Sequence, residues 1–301
     1  MSVKSTRALG LGVALALGCI GDLLPKEIVV SPRILDIVAE PPEVAPGGTV
    51  RLRAVVAGNR GPVTYRWVAC TGADPFGGIG GFGTGAGEQG CTGDAGLRLP
   101  LGSSTGATLT IPMDSVDVEA IVARLGTRAP RALVEQYFRD VGVIVGVGLT
   151  IEADGRTVEG YKRVVVSLNP RPNRNPPTPR VRVNGRWVSV PAGGGDACVS
   201  EEGVGLHVPR NREVTLSPDA NEGWLERYTV LTALGVFEER TEQAFYSWYA
   251  TDGALARGLT RSPTRDNAWQ PSDAPGSQSL WLFVRDGHGG TSGCRLDVTV
   301  D

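Results

Sequence analysis

Proton exchange near neutral pH falls first to histidine, and this 301-residue sequence holds two, His207 and His288. His207 lies in the alternating run 204–208 and reads as a strand residue without a chemical role. His288 sits in the glycine-flanked turn Asp286-Gly287-His288-Gly289-Gly290 and reads as an exposed turn residue. No GxSxG elbow or HExxH helix is present, so serine-hydrolase and zinc-protease chemistry find no support. A glycosidase needs only two carboxylates, and Glu201-Glu202, Glu238-Glu239 and Glu242 are the densest acids. Adjacent residues on a strand point to opposite faces, however, which does not hold both at one scissile bond, and the stretch between Val236 and Thr241 reads as a solvated hairpin edge. Asp252, Asp286 and Asp297 offer oxygen atoms to calcium at loop ends, without the spacing of a calcium loop. Of the tryptophans, Trp187, Trp224, Trp269 and Trp281 are those available for a sugar-binding platform. Trp281 alternates with Phe283 and reads as core, which leaves Trp224 and Trp269, in polar loop-like contexts, as contact candidates. No catalytic residue, metal set or cofactor is assigned.

Location is more legible than chemistry. A basic start (Lys4, Arg7) precedes an apolar run over residues 8–17 and then Gly18-Cys19. The run is shorter than the about 20 residues that cross a bilayer, so it reads as the hydrophobic region of a signal peptide, residues 1–18. Gly18 before Cys19, with Ala16 and Leu17 ahead, resembles the lipobox of bacterial lipoproteins, in which the cysteine becomes the acylated N-terminus; Ala16 departs from the leucine that family prefers. The resemblance implies a membrane anchor at Cys19, followed by a tether over residues 19–30. Ile20 and Gly21 follow, not the aspartate that signals inner-membrane retention in such lipoproteins, which implies the outer membrane. Loss of residues 1–18 removes two basic residues and no acid from a chain of formal net charge −2, leaving no basic field for nucleic acid. Of 30 basic residues only Lys4, Lys26 and Lys162 are lysine, which reads as coding bias. Beyond Cys19 four cysteines remain, and an exported chain meets an oxidising compartment. Three connectivities are possible; the positions favour Cys70 with Cys91 and Cys198 with Cys294, and no pair has the close spacing of a zinc site.

The elements that carry these residues come in two similar sets. The Pro-rich stretch LNPRPNRNPPTP reads as a stiff connector, with the linker at residues 169–179. Before it, Tyr65, Trp67, Ala69 and Gly72 recur at a constant offset as Tyr246, Trp248, Ala250 and Gly253, on what period-two alternation marks as strands. Val50, Leu52 and Ala54 match Val214 and Leu216 as a preceding strand, and each half ends in a hairpin, turning at Asp154-Gly155 and at 286–290. Short strands, frequent turns and a central tryptophan predict a mainly all-β chain of two antiparallel immunoglobulin-like β-sandwiches, residues 31–168 and 180–301. The first carries an insertion over 71–140. It holds a Gly-rich loop between Cys70 and Cys91, which lacks the helix and GK[ST] of a phosphate loop, and helices over 114–125 and 130–138 that cap the sandwich. Residues 182–187 read as a tight hairpin opening the second domain.

The order PPEVAPGGTVRLRA, VTYRW, FYSWYATDG and LWLFVRDGHGGTSG is similar to bacterial surface lipoproteins with tandem immunoglobulin-like, PKD-like domains, common in gliding, predatory proteobacteria. The resemblance covers most of residues 31–301. It implies a non-catalytic binding or structural module of the cell envelope, whose partners are a membrane, through lipidated Cys19, and an envelope protein or glycan, with no nucleic acid. The alternative is an envelope hydrolase or carbohydrate-binding accessory protein with its site in the first-domain insertion or the inter-domain cleft.

Overall fold

Alternation at period two buries one row of each strand, and in both halves that row carries a tryptophan. The computed structural model describes residues 25–71, 97–113, 115, 118–125, 130–193, 195–232 and 234–301. The signal peptide, Cys19, Cys91 and the body of the Gly-rich loop lie outside these residues.

The first half holds β1 (Arg33–Glu40), β2 (Glu43–Val44), β3 (Thr49–Ala57), β4 (Thr64–Thr71), β5 (Leu97–Gly102), β6 (Gly106–Thr110), α1 (Val118–Leu125), α2 (Arg131–Asp140), β7 (Val143–Ala153) and β8 (Arg156–Val166). These form two sheets, β1-β3-β6 and β2-β8-β7-β4-β5. Ile37, Leu52 and Leu109 of one sheet pack against Trp67, Val147 and Leu149 of the other in a single apolar core.

The second half holds β9 (Arg180–Val183), β10 (Arg186–Ser189), β11 (Ala197–Ser200), β12 (Leu206–Val208), β13 (Val214–Pro218), β14 (Arg227–Leu231), β15 (Phe237–Thr241), β16 (Phe245–Ala250), β17 (Ala254–Leu255), β18 (Leu259–Arg261), β19 (Asn267–Gln270), β20 (Gly276–Arg285) and β21 (Thr291–Val300). Here β9-β13-β19 repeats the order of β1-β3-β6, and β12-β21-β20-β16-β18 repeats β2-β8-β7-β4-β5. The parallel contact of β2 beside β8 also recurs, as β12 beside β21, and β11 adds a second parallel pairing to β21. This strand order makes each half an immunoglobulin-like sandwich. The halves differ in their additions: β10 and β11 link the two sheets of the second, and β14 and β15 form a separate hairpin.

Local chemistry explains the turns and the buried rings. Asp154-Gly155 and Asn184-Gly185 all have positive φ, the conformation of a two-residue hairpin turn. Trp67 and Trp248 are fully buried, and each indole N–H finds an acceptor. Trp67 Nε1 donates to the Ser104 carbonyl at 2.9 Å, and Trp248 Nε1 to Thr260 Oγ1 at 2.9 Å. Cys198 of β11 and Cys294 of β21 form a buried disulfide across 96 residues of chain. A closed loop of that length is worth about 4–5 kcal/mol by restricting the unfolded chain.

The end of the expected tether is not free. Ile28 bridges Ala250 and enters the second core, with Val29 N–H donating to the Ala250 carbonyl at 2.8 Å and Ala250 N–H to the Glu27 carbonyl at 3.0 Å. The chain thus touches the second sandwich before it builds the first, a contact that short-range periodicity does not encode. Replacing Ile28 by alanine should destabilise the second sandwich by about 2–5 kcal/mol, the usual range for emptying a buried isoleucine site. Chemical denaturation monitored by amide hydrogen exchange in the strands of the second sandwich checks this, since a loose tether would show no change.

Candidate functional site

The residues with most chemical potential converge where the two sandwiches meet. The run 280–284 of β20 is apolar at every position, with Leu280, Leu282 and Val284 in the second core. Trp281 and Phe283 face the other way and are covered by Val29, Leu35 and Ala57. Trp281 is therefore core, as its alternation with Phe283 predicts, but the core in question lies between the domains.

A polar cluster surrounds this contact. The linker lays Asn173 and Asn175 into the junction. Glu43 of β2 is buried and accepts from Ser167 Oγ, and from the Asn173 N–H at 2.6 Å. Asn173 Nδ2 donates to Asp286 Oδ2 at 3.2 Å, and Asn175 Nδ2 to the Ala39 carbonyl at 2.8 Å. From the second sandwich, Thr291 Oγ1 donates to Asp36 Oδ2 at 2.5 Å, and Arg285 Nη2 lies 3.3 Å from Asp36 Oδ1. Asp286 is buried and accepts the N–H of His288 at 2.6 Å and of Gly290 at 2.9 Å, which closes its turn. Only glycine fits at 290, because a Cβ there would lie 2.1 Å from Asp286 Oδ2 and 2.8 Å from the Arg174 carbonyl.

His288 is not a bare turn residue. It stacks on Tyr228 at 4.0 Å between centroids, and its Nδ1 lies 3.5 Å from Glu242 Oε1. Glu238 and Glu239 are exposed, as the solvated edge requires, while Glu242, just past that edge, is buried and its Oε2 accepts the Glu226 N–H at 2.8 Å. Burial, then the nearby Glu242 charge, pushes the Glu226 carboxyl upward; burial does the same to Asp286. Beside this cluster a cleft of about 350 Å³ opens between β1 and β8, floored by Ile34 and Ile37 and edged by Asp36, Lys162 and Arg285.

The other expected site residues do not gather here. Trp269 is fully buried in the second core, with Nε1 donating to the Asp252 carbonyl at 3.0 Å, so it offers no contact surface. Its polar neighbours concealed that it sits on β19. Trp224 is half-buried against the same core, Nε1 donating to the Asn221 carbonyl at 3.1 Å. His207 is exposed beside the Asp301 carboxylate. Glu201 pairs with Arg180 through two contacts of 2.7 and 2.8 Å. Asp252 and Asp297 are bound separately, to Ser272 and to Ser279. Cys70 is disulfide-bonded, and its expected partner Cys91 lies outside the described residues, as does Cys19. Sequence reasoning missed Glu43, Asn173 and Lys162. A signal existed for Lys162, which interrupts the inward row Val158, Gly160, Val164 and Val166.

No family model matches the sequence, and no curated protein matches it. Among solved structures the chain is similar to the D0-D1 domain of intimin, at 11% identity over 89% of this chain and 98% of that one, TM-score 0.23. It is also similar to murine CEACAM1b, at 12% over 88% and 99%, TM-score 0.21. A chimeric titin Z1Z2 gives 12% over 91% and 98%, TM-score 0.21. Likenesses this slight carry no functional argument, and the fold assignment rests on the strand order itself.

Two outcomes follow from the cluster. Glu43→Ala strands the Ser167 hydroxyl and the Asn173 N–H in a buried place and should cost about 2–4 kcal/mol, whereas Glu43→Gln, which keeps an acceptor, should cost less. Urea unfolding of both variants measures the difference. The carboxyls of Glu226 and Asp286 are raised in the folded state, so the stability each contributes is present below its unfolded pKa, about 4, and is lost as pH rises through the folded one. Glu226→Gln should therefore stabilise the protein at neutral pH and lose that advantage in acid, read as Tm against pH. An advantage independent of pH would remove the electrostatic explanation.

Proposed function

We propose that this chain is a non-catalytic lipoprotein of the cell envelope, tethered through lipidated Cys19 and presenting two PKD-like, immunoglobulin-like sandwiches as one rigid binding or structural module. The observation that supports a module of fixed shape is the junction, where Trp281 and Phe283 are buried by the first sandwich while Asn173, Asn175 and Asp36 bind across it. Flexible beads on a string would leave that surface in water. The anchoring half of the reading rests on the basic start, apolar run and Gly18-Cys19 of the sequence. Cys19 is about nine residues from the docked Ile28, an extended reach of about 30 Å. On this reading the leash holds the second sandwich close to the outer membrane, and the junction fixes where the first one points.

Cys19→Ala tests the anchor. It should move the protein from the membrane fraction to the soluble fraction of its host and abolish incorporation of radiolabelled palmitate. Unchanged fractionation of this variant would sink the lipoprotein reading.

A further inference from the structure

We propose that the cleft between β1 and β8 binds a small carboxylate monoanion, with Lys162 as its cationic partner. The site lies outside any role in tethering and does not depend on Cys19.

Lys162 stands on the inward row of β8 among Val158, Gly160, Val164 and Val166. Among the described residues its ammonium makes no hydrogen bond or ion pair, although it lines the cleft. Of the other charges lining the cleft, Asp36 and Arg285 are matched to each other, and Glu159 is exposed on the outward row of β8. Asp36 holds Arg285 and the Thr291 hydroxyl, and Arg285 also reaches Ser247 Oγ. The Lys162 ammonium is the buried charge left without a direct partner, drawn toward Asp36 and Asp286 only through space. Burial disfavours the charged amine and lowers its pKa, a cost that an incoming anion relieves.

The strand edge supplies a second kind of donor. Val165 N–H donates to the Pro42 carbonyl and Ser167 N–H to the Val44 carbonyl, each at 3.1 Å, so odd-numbered amides of β8 point away from β7. The pairing with β7 is unbroken from Val166 to Arg156, so Tyr161 N–H faces the same way, beyond the end of the short β2. On the facing strand, a bulge between Ile34 and Asp36 turns both Leu35 and Asp36 outward, Leu35 under Trp281 and Asp36 onto Arg285.

Size and charge choose the ligand. A peptide strand inserted between two edges needs two spacings of about 4.8 Å, roughly 9.6 Å in all. β1 runs within 8 Å of β8, Cα to Cα, so an added strand is excluded and a small planar group is not. A dianion such as phosphate would meet the carboxylates of Asp36 and Glu159 as well as the single free cation. A carboxylate matches one ammonium and one amide donor.

The full chain has only three lysines, so lysine-selective labelling gives few signals and Lys26 serves as an internal control. Titration with acetate, glucuronate, glucose and inorganic phosphate should move the Lys162 signal saturably for the two carboxylates, with dissociation constants in the millimolar range, and raise its titration midpoint. Glucose should do nothing. Tighter binding of glucuronate than acetate would identify a sugar acid as the source of the carboxylate; equal binding would identify the bare group. Saturation-transfer measurements on glucuronate should lose their signal with Lys162→Met and retain part of it with Lys162→Arg, both variants being checked for an unchanged near-UV spectrum. The proposal is overturned by no saturable shift with either carboxylate, by phosphate binding as tightly, or by undiminished binding in folded Lys162→Met.

Discussion

A strand that is apolar on both faces cannot border water, and β20 is such a strand. An antiparallel sheet with one wet face alternates polar and apolar residues; residues 280–284, LWLFV, do not. The inner face is covered by the second sandwich itself. The outer face needs a foreign cover, and burying a ring the size of Phe283 is worth about 2–3 kcal/mol. Val29, Leu35 and Ala57 supply that cover. The position of the first sandwich, the docking of the N-terminal segment and the placing of the linker all follow from this one demand.

Apolar contact alone is non-directional and would tolerate sliding. Orientation comes from the polar rim, whose members have few alternative partners. Among the described residues Glu43 has no basic partner and is held by a hydroxyl and an amide, while Asp286 is held by backbone amides and Asn173. A buried carboxylate is costly when its donors are lost, so displacement of the sandwiches would be penalised at several points together. The Pro-rich connector helps, because a stiff extended chain presents Asn173 and Asn175 at fixed places.

Repetition made much of this fold legible. The Tyr65, Trp67, Ala69 set and its second copy both lie on the strand that period-two reasoning gives them, and Asp154-Gly155 and Asn184-Gly185 turn where their tolerance of positive φ requires. The failures share a cause, since each depends on distant chain. Trp269 sits among polar residues yet points into the core, because β19 is short and only one face of it is wet. Glu242 lies one residue past the exposed edge that holds Glu238 and Glu239, and nothing local announces its burial; the turn at 286–290 and Glu226 fold over it and not over them. Ile28 lies in a stretch without periodicity and docks on a strand over two hundred residues away. Lys162 did leave a trace, as the one charge in an apolar row, but its meaning needed the facing strand.

Two of the additions that break the repeat, the helices and the hairpin β14–β15, meet at the same junction. The first half inserts its helices between β6 and β7, and the second inserts the hairpin β14–β15 between β13 and β16. These lie at opposite ends of the fold order, yet α2 packs against β14 across the junction. Phe138 of α2 is fully buried, and its carbonyl accepts the Leu168 N–H at 2.8 Å where the connector begins. Tyr228 of β14 carries His288 beside the buried Glu242. Two sandwiches of one pattern thus became unlike at the ends that face each other. Surface added there increases contact between domains, while surface added at the far ends would not.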